Sequence, residues 1–266
     1  YFCENLYNPT TIGYLTQNQH IMSNDSQTKK IIICSVSALP IRREPSEQSE
    51  MVSQILYGEE IEILSTKGNW LNIRLLYDNY EGWVDKKCID EVFIVADYTK
   101  HVSDKLFEKH TINNKHVWLP AGAEYYTKKE QVKTETKQPT AQSIIETAEM
   151  FLGIPYLWGG RSAFGCDCSG FVQTVFKINN IKLPRDAYMQ VAHGDTINFF
   201  DMIKPADLVF FGDIEKITHV GIALEGNKII HSSGCVRIDS LNHQGIYNHD
   251  TKSYTHNLRI IKRLKI

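Results

Sequence analysis

The chain has 266 residues, 42% of them hydrophobic and 23% charged, with a net charge of −2. That is the make-up of a globular protein of about two domains, or three small ones. It gives no electrostatic footing for nucleic acid or an anionic membrane, and no apolar run approaches the ~20 residues of a membrane helix. Six cysteines, scattered from Cys3 to Cys235, are too few for a disulfide-dense scaffold. The chain starts at Tyr1 rather than Met, so a form trimmed of an export signal and a cytoplasmic protein both fit.

Residues 1–30 are polar and read as an N-terminal arm. Residues 31–90 read as a small all-β barrel. Lys30-Ile-Ile-Ile-Cys-Ser-Val is a strand, and Gly58 to Leu64 and Trp70 to Leu75 alternate with period two. Lys67-Gly68-Asn69 turns between those two, and Tyr80-Glu-Gly-Trp83-Val84 closes the set. Residues 91–128 could supply a second, shorter barrel from Val92-Phe-Ile-Val95 and Val117 to Ala123. The charge-rich stretch 129–140 reads as a linker to a domain at 141–266. There, Ser143 to Leu152 has helical spacing, and a second amphipathic helix over 168–178 carries Phe171, Val172, Val175, Phe176 and Ile178. Asp207 to Phe211 reads as a buried strand, and His219 to Leu224 pairs with Lys228 to Ser232 across Glu225-Gly226-Asn227. Leu258 to Leu264 is a last strand. Helices followed by an antiparallel sheet make this domain α+β.

Cys168 stands where the second helix begins, after a glycine-rich loop, with Asp167 or Ser169 able to cap. The unpaired N–H groups and positive end of the helix dipole favour thiolate there. Cysteine followed by His219 and His231 is the material of a thiol hydrolase: a nucleophile, a base and a group that fixes the base. His231 is expected roughly opposite His219 across the hairpin, and the Cys168 N–H and Tyr156 hydroxyl are candidate oxyanion donors. Each residue also has a plainer reading. A lone cysteine is most often a small buried hydrophobe, and two histidines twelve apart are often incidental. A zinc site from Cys166, Cys168, His219, His231 and Cys235 is disfavoured, because C-x-C is not a usual zinc spacing.

The strings Pro155-Tyr-x-Trp-Gly-Gly160, Gly165-x-Asp-Cys168-Ser-Gly170, Leu183-Pro184-Arg185, Pro205-Ala-Asp207-Leu, Phe210-Phe-Gly212 and His219-Val-Gly-Ile resemble the NlpC family of papain-like cysteine peptidases. Leu39-Pro-Ile41-Arg42, Leu56-Tyr-Gly58-Glu, Gly68-Asn-Trp70 and Gly82-Trp83-Val84 resemble bacterial Src-homology-3 barrels. The first resemblance implies a papain-like catalytic domain, with helices packed on an antiparallel sheet and one or two barrels before it. Cys168 is then the nucleophile, His219 the base and His231 the third polar residue, with Tyr156 and Ser169 lining the site. It also implies hydrolysis of the γ-D-glutamyl bond to the diamino acid of bacterial peptidoglycan stem peptides. The barrel together with Leu-Pro-Arg-Asp resembles a subgroup that takes fragments with a free N-terminal L-Ala. A buried ammonium needs an anion, and Asp186 is the candidate, with Glu44 and Tyr80 of the barrel behind it. Arg185 could hold the D-Glu α-carboxylate, although an exposed Arg-Asp pair and a solvated Glu44 are the plainer alternatives. Trp158 is expected to pack under the nucleophile loop. Two positions depart from the family pattern: Cys166 replaces a larger apolar residue, and Ala163 replaces a frequent Pro. No metal or cofactor and no partner subunit is expected, so a monomer would suffice. The diamino acid, Lys or diaminopimelate, stays open. The same fold could serve an amidase or acyltransferase, and a non-catalytic wall-binding module is the reading the intact Cys168, His219 and His231 oppose.

Overall fold

A computed structural model describes residues 28–112, 115–129 and 138–266. The expected N-terminal arm lies outside the described residues except for 28–30, and so does most of the expected linker. The first sheet contains β2 (Ala38–Arg42), β3 (Met51–Leu56), β4 (Ile61–Lys67), β5 (Trp70–Leu75) and β6 (Glu81–Asp85), in the order β3-β2-β6-β5-β4. Period-two alternation sends Leu71, Ile73 and Leu75 of β5 into a core with Ile41, Ile55 and Val84. The β4–β5 hairpin turns at Gly68, whose φ of +61° suits glycine.

The strand expected to open this barrel, β1 (Thr28–Cys34), pairs instead with β7 (Ile89–Val95), Ile31 facing Val92. Both share a core with β8 (Tyr98–Val102), β9 (Phe107–Ile112), β10 (Lys115–Pro120) and β11 (Glu124–Lys128), through Ile33, Ile94, Ile112 and Leu119. The chain therefore enters through a second β unit, leaves it to build the first sheet and then returns.

In the C-terminal part, helix α1 (Ala141–Glu149) starts two residues before the expected helix. A capping box between Thr140 and Ser143 satisfies its first N–H groups. The short strands β12 (Arg161–Ser162) and β13 (Gly165–Cys166) lead into α2 (Cys168–Ile178), and α3 (Ala187–Gln190) follows. The sequence pattern makes α2 amphipathic, but residues 168–177 are all buried. Phe171 and Phe176 enter the main core, each contributing about 1.5–3 kcal/mol. The polar side faces the barrels rather than water: Gln173 donates to Asp78 at 2.8 Å and Lys177 to Glu59 at 2.6 Å.

The remaining strands are β14 (Asp195–Ile197), β15 (Leu208–Gly212), β16 (Ile217–Leu224), β17 (Lys228–Ser233), β18 (Cys235–Leu241), β19 (Gly245–Asn248) and β20 (Ser253–Arg263). Their order is β14-β20-β15-β16-β17-β18-β19, and β19 pairs back onto β20, so six strands close on themselves. Closure removes the edges an open sheet would leave. Leu208, Phe210, Val220, Ile222 and Ile230 face the helices. Val209, Phe211, Ala223, Ile229 and Ile261 fill the interior of the closed sheet.

Candidate active site

The loop before α2 is built on Asp167. This N-cap residue accepts the Gly170 N–H on Oδ1 at 2.7 Å and the Gly159 N–H on Oδ2 at 2.9 Å. The two glycine strings interlock there, since a Cβ on Gly170 would lie 2.1 Å from the Gly160 oxygen. Arg185 closes the loop from below, donating from Nη2 to Asp167 Oδ2 at 2.6 Å and from Nη1 to Oδ1 at 3.0 Å. Its other N–H groups go to Ser169 Oγ, Ser53 Oγ and the Gly160 oxygen at 3.0, 3.1 and 3.4 Å. A guanidinium has five N–H donors, and all five are used inside a residue only 1% exposed. The expectation that Arg185 holds a substrate carboxylate is therefore corrected: it supports the nucleophile loop. Ser169, buried beside it, donates its hydroxyl to Asp167 Oδ1 at 3.3 Å and belongs to the same network.

Cys168 is the first residue of α2 and only 9% exposed. Burial pushes its thiol up to about 11, the Asp167 carboxylate adds to this, and the Val220 and Ser169 N–H groups pull the other way. The helix end does not offset desolvation, a balance that runs against the thiolate expected from the helix start alone. Contact with the Val220 N–H puts the sulfur beside the middle of β16, one residue from His219. Tyr156 lies in the same place and feels the charge of Cys168. Burial holds its phenol up at about 12, so its hydroxyl keeps a proton to donate.

Strand register carries the histidines. Ile222 faces Ile230, which puts Gly221, not His219, opposite His231. Gly221 has no side chain, and a Cβ there would lie 2.9 Å from the His231 Cβ. His231 reaches diagonally to His219, with His231 Nδ1 2.8 Å from His219 Nε2. This leaves His219 Nδ1 for another partner. His256 of β20 stacks on the His219 ring with centroids 4.0 Å apart. Burial and the neighbouring histidines hold His219 well below its ordinary value, and burial lowers His256 to about 4. On the far side, His231 Nε2 is 3.0 Å from Asp239 Oδ2, and Arg237 clasps Asp239 at 2.7 and 2.9 Å. The sequence reading included neither Asp239 nor His256.

Of the residues expected at the substrate end, Asp186 is half-buried, and burial followed by the nearby Asp167 and Asp78 charges raises its carboxyl. It precedes α3 without making a side-chain capping bond, and its hydrogen-bond partner is the Tyr188 side chain. Tyr80 belongs to the same neighbourhood: burial raises its phenol to about 12, and Asp186 is the first charge it feels. Glu44 is exposed in the turn between β2 and β3. Glu50, just before β3, does reach the catalytic loop, accepting the Trp158 indole N–H at 2.8 Å. Trp158 is 62% exposed, so it lies over the loop and not beneath it.

Comparison with known proteins gives this arrangement a family. Residues 153–255 match the NlpC/P60 family and residues 41–89 match the bacterial dipeptidyl-peptidase Sh3 domain. The chain is 31% identical over 216 residues to a gamma-D-glutamyl-L-lysine dipeptidyl-peptidase of Bacillus subtilis, covering 68% of this chain and 71% of that protein. It is 26% identical over 248 residues to dipeptidyl-peptidase 6 of Lysinibacillus sphaericus, covering 76% and 88%. The fold matches a solved NlpC/P60 family protein from Bacillus cereus with a TM-score of 0.71, at 21% identity over 88% of this chain and 99% of that one. The chain thus belongs to the NlpC/P60 family of cysteine peptidases, with an SH3-like domain before its papain-like domain.

Proposed function

We propose that this enzyme hydrolyses the bond between γ-D-glutamate and an L-diamino acid in peptidoglycan stem peptides, on fragments that begin with a free L-Ala. Cys168 is the nucleophile, His219 the base and His231 the residue that orients it. His219 Nδ1 takes the thiol proton as sulfur attacks the γ-carbonyl, and the Cys168 N–H and Tyr156 hydroxyl receive the oxyanion. The amine of the diamino acid leaves with the proton from His219, and water then hydrolyses the thioester. The β units over 28–128 act as two small barrels that wall one end of the cleft, with the peptidase at 141–266. Asp186 and Tyr80 hold the L-Ala ammonium at that wall.

One observation carries the substrate-end reading. Asp186 is a half-buried carboxylate beside Tyr80, it is not spent on capping α3, and its neighbour Arg185 has no N–H left to offer it. Such a group favours a cation from outside. The names of the relatives make L-Lys the first diamino acid to test. The experiment is hydrolysis of L-Ala-γ-D-Glu-L-Lys beside its N-acetylated form, with product masses read directly. Cleavage of the free form alone is expected, and Cys168→Ala should abolish turnover while retaining the wild-type melting temperature. Equal rates on both peptides would overturn the amine anchor, and turnover by Cys168→Ala would overturn the nucleophile.

A further inference from the structure

A neutral imidazole carries its proton on one nitrogen only, and the two tautomers of His231 have opposite consequences for His219. If His231 holds its proton on Nδ1, it donates across the 2.8 Å contact to His219 Nε2. The His219 proton must then sit on Nδ1, and no lone pair faces the thiol. If His231 holds its proton on Nε2, its Nδ1 accepts the His219 Nε2–H, and His219 Nδ1 is free to act as a base. Nothing within the two rings chooses between these states.

Asp239 makes the choice. The pairing of β17 with β18 sets His231 opposite Arg237, and Asp239, two residues on, shares their face of the sheet. Its Oδ2 lies 3.0 Å from His231 Nε2, and an ionised carboxylate only accepts. Arg237 grips both carboxylate oxygens, at 2.7 and 2.9 Å, and is itself tied to Asp250 at 2.7 Å. Burial works against the charge on Asp239, but the hydrogen bonds from His231 and Arg237 outweigh it, and the carboxyl titrates below its ordinary value. His231 and Asp239 are both buried, so water does not compete for this contact.

We propose that Asp239, clamped by Arg237, is a positioning residue that fixes the tautomers of both histidines and thereby presents the His219 Nδ1 lone pair to Cys168. The proposal rests on the reading of Cys168 and His219 as nucleophile and base. In the step it serves, the thiol proton moves to His219 Nδ1 as the carbon–sulfur bond forms. His219 becomes an imidazolium that keeps its Nε2–H, and no proton passes to Asp239, whose charge stabilises the new cation through His231.

The test is long-range proton–nitrogen NMR of protein labelled with ¹⁵N-histidine, with the His219 and His231 signals assigned from single His→Gln variants. In the wild type both rings should carry the proton on Nε2. Asp239→Asn can turn an amide N–H toward His231 and so favours the reversed tautomers. That variant should lower kcat by about 10²–10⁴-fold, with KM little changed and both rings shifted to Nδ1–H. Arg237→Gln keeps the carboxylate and should keep the wild-type tautomers with a much smaller loss of kcat. A wild-type His231 protonated on Nδ1, or an Asp239→Asn enzyme with wild-type kcat, would overturn the proposal. If Asp239→Asn does not fold, the wild-type tautomers still decide. A Cys168→Ala enzyme that retained turnover would sink the assignment of the nucleophile without altering the tautomer result.

Discussion

The Cys168 thiol sits between opposing influences, and their balance decides how the reaction starts. The helix N-terminus and the Val220 and Ser169 N–H groups favour thiolate, while burial and the Asp167 carboxylate favour thiol and win. His219 is pushed the opposite way, by burial and by His231 and His256, and stays neutral well below its ordinary value. Thiol and imidazole are therefore expected to rest as a neutral pair, with the proton moving as the substrate arrives. The sign is testable. For a thiol whose value is raised, the reactive thiolate fraction increases with pH up to about 11. Alkylation of Cys168 by iodoacetamide in the free enzyme should be slow at mildly acidic pH and climb through the alkaline range, read by peptide mass at each pH. A fast rate already level near pH 5 would establish a resting thiolate–imidazolium pair instead. On the base side, the acid limb of kcat/KM should lie below the ordinary histidine value of about 6.5, because a depressed base stays competent as pH falls.

At the scale of elements, the hairpin of β16 and β17 places the two histidines by what it omits. Gly221 faces His231, and a methyl group there would meet the His231 Cβ at 2.9 Å and the Ile229 Cδ1 at 2.7 Å. Ile229 can turn its tip away, but the His231 ring is held at both nitrogens. Gly221→Ala should cost about 1–3 kcal/mol of stability and lower kcat at least tenfold by displacing His231. Gly226→Ala in the hairpin turn is the control. It adds a methyl group into open space at a φ of +70° and should cost only about 1–2 kcal/mol with kcat unchanged. Equal kcat in both variants would remove His231 placement as the cause. The hairpin was legible in the sequence because two short apolar runs flank Glu225-Gly226-Asn227, and α2 was legible from helical spacing after a glycine-rich loop. Strand β18 was not. It places Asp239 inward and leaves Ile238 37% exposed, the reverse of what hydrophobicity alone would choose. Only His231, supplied by strand pairing, and Arg237, two residues back in the same strand, make a buried carboxylate tolerable there. The task of Arg185 was hidden for the same reason, since its partner Asp167 lies 18 residues away.

Across the whole molecule, the barrels and the peptidase domain are joined by buried charge. Arg161 and Lys177 meet Glu59 at 2.9 and 2.6 Å, Lys177 also reaches Glu124 at 2.9 Å, and all four side chains are at most 7% exposed. Glu59 lies after β3 and Glu124 in β11, so both β units hold α2 and the loop before it. A buried pair adds little net stability over a well-packed apolar substitute, but removing one partner strands the other charge at a cost of about 3–5 kcal/mol. Glu59→Gln should therefore lower the unfolding free energy by about that amount, and barrels and peptidase should still melt in one calorimetric transition, because neither half keeps its buried charges paired alone. Two separate transitions in the wild type would refute the coupling. The same contacts hold Tyr80 and Glu50 against the catalytic side, through Asp186 and Trp158. A loosened weld should consequently raise KM for free-amine peptides more than it lowers kcat, because the wall that receives the ammonium moves while Cys168 and the histidines stay within one domain. An equal change in both parameters would place the barrels in the chemistry itself and not in the recognition of the amino end.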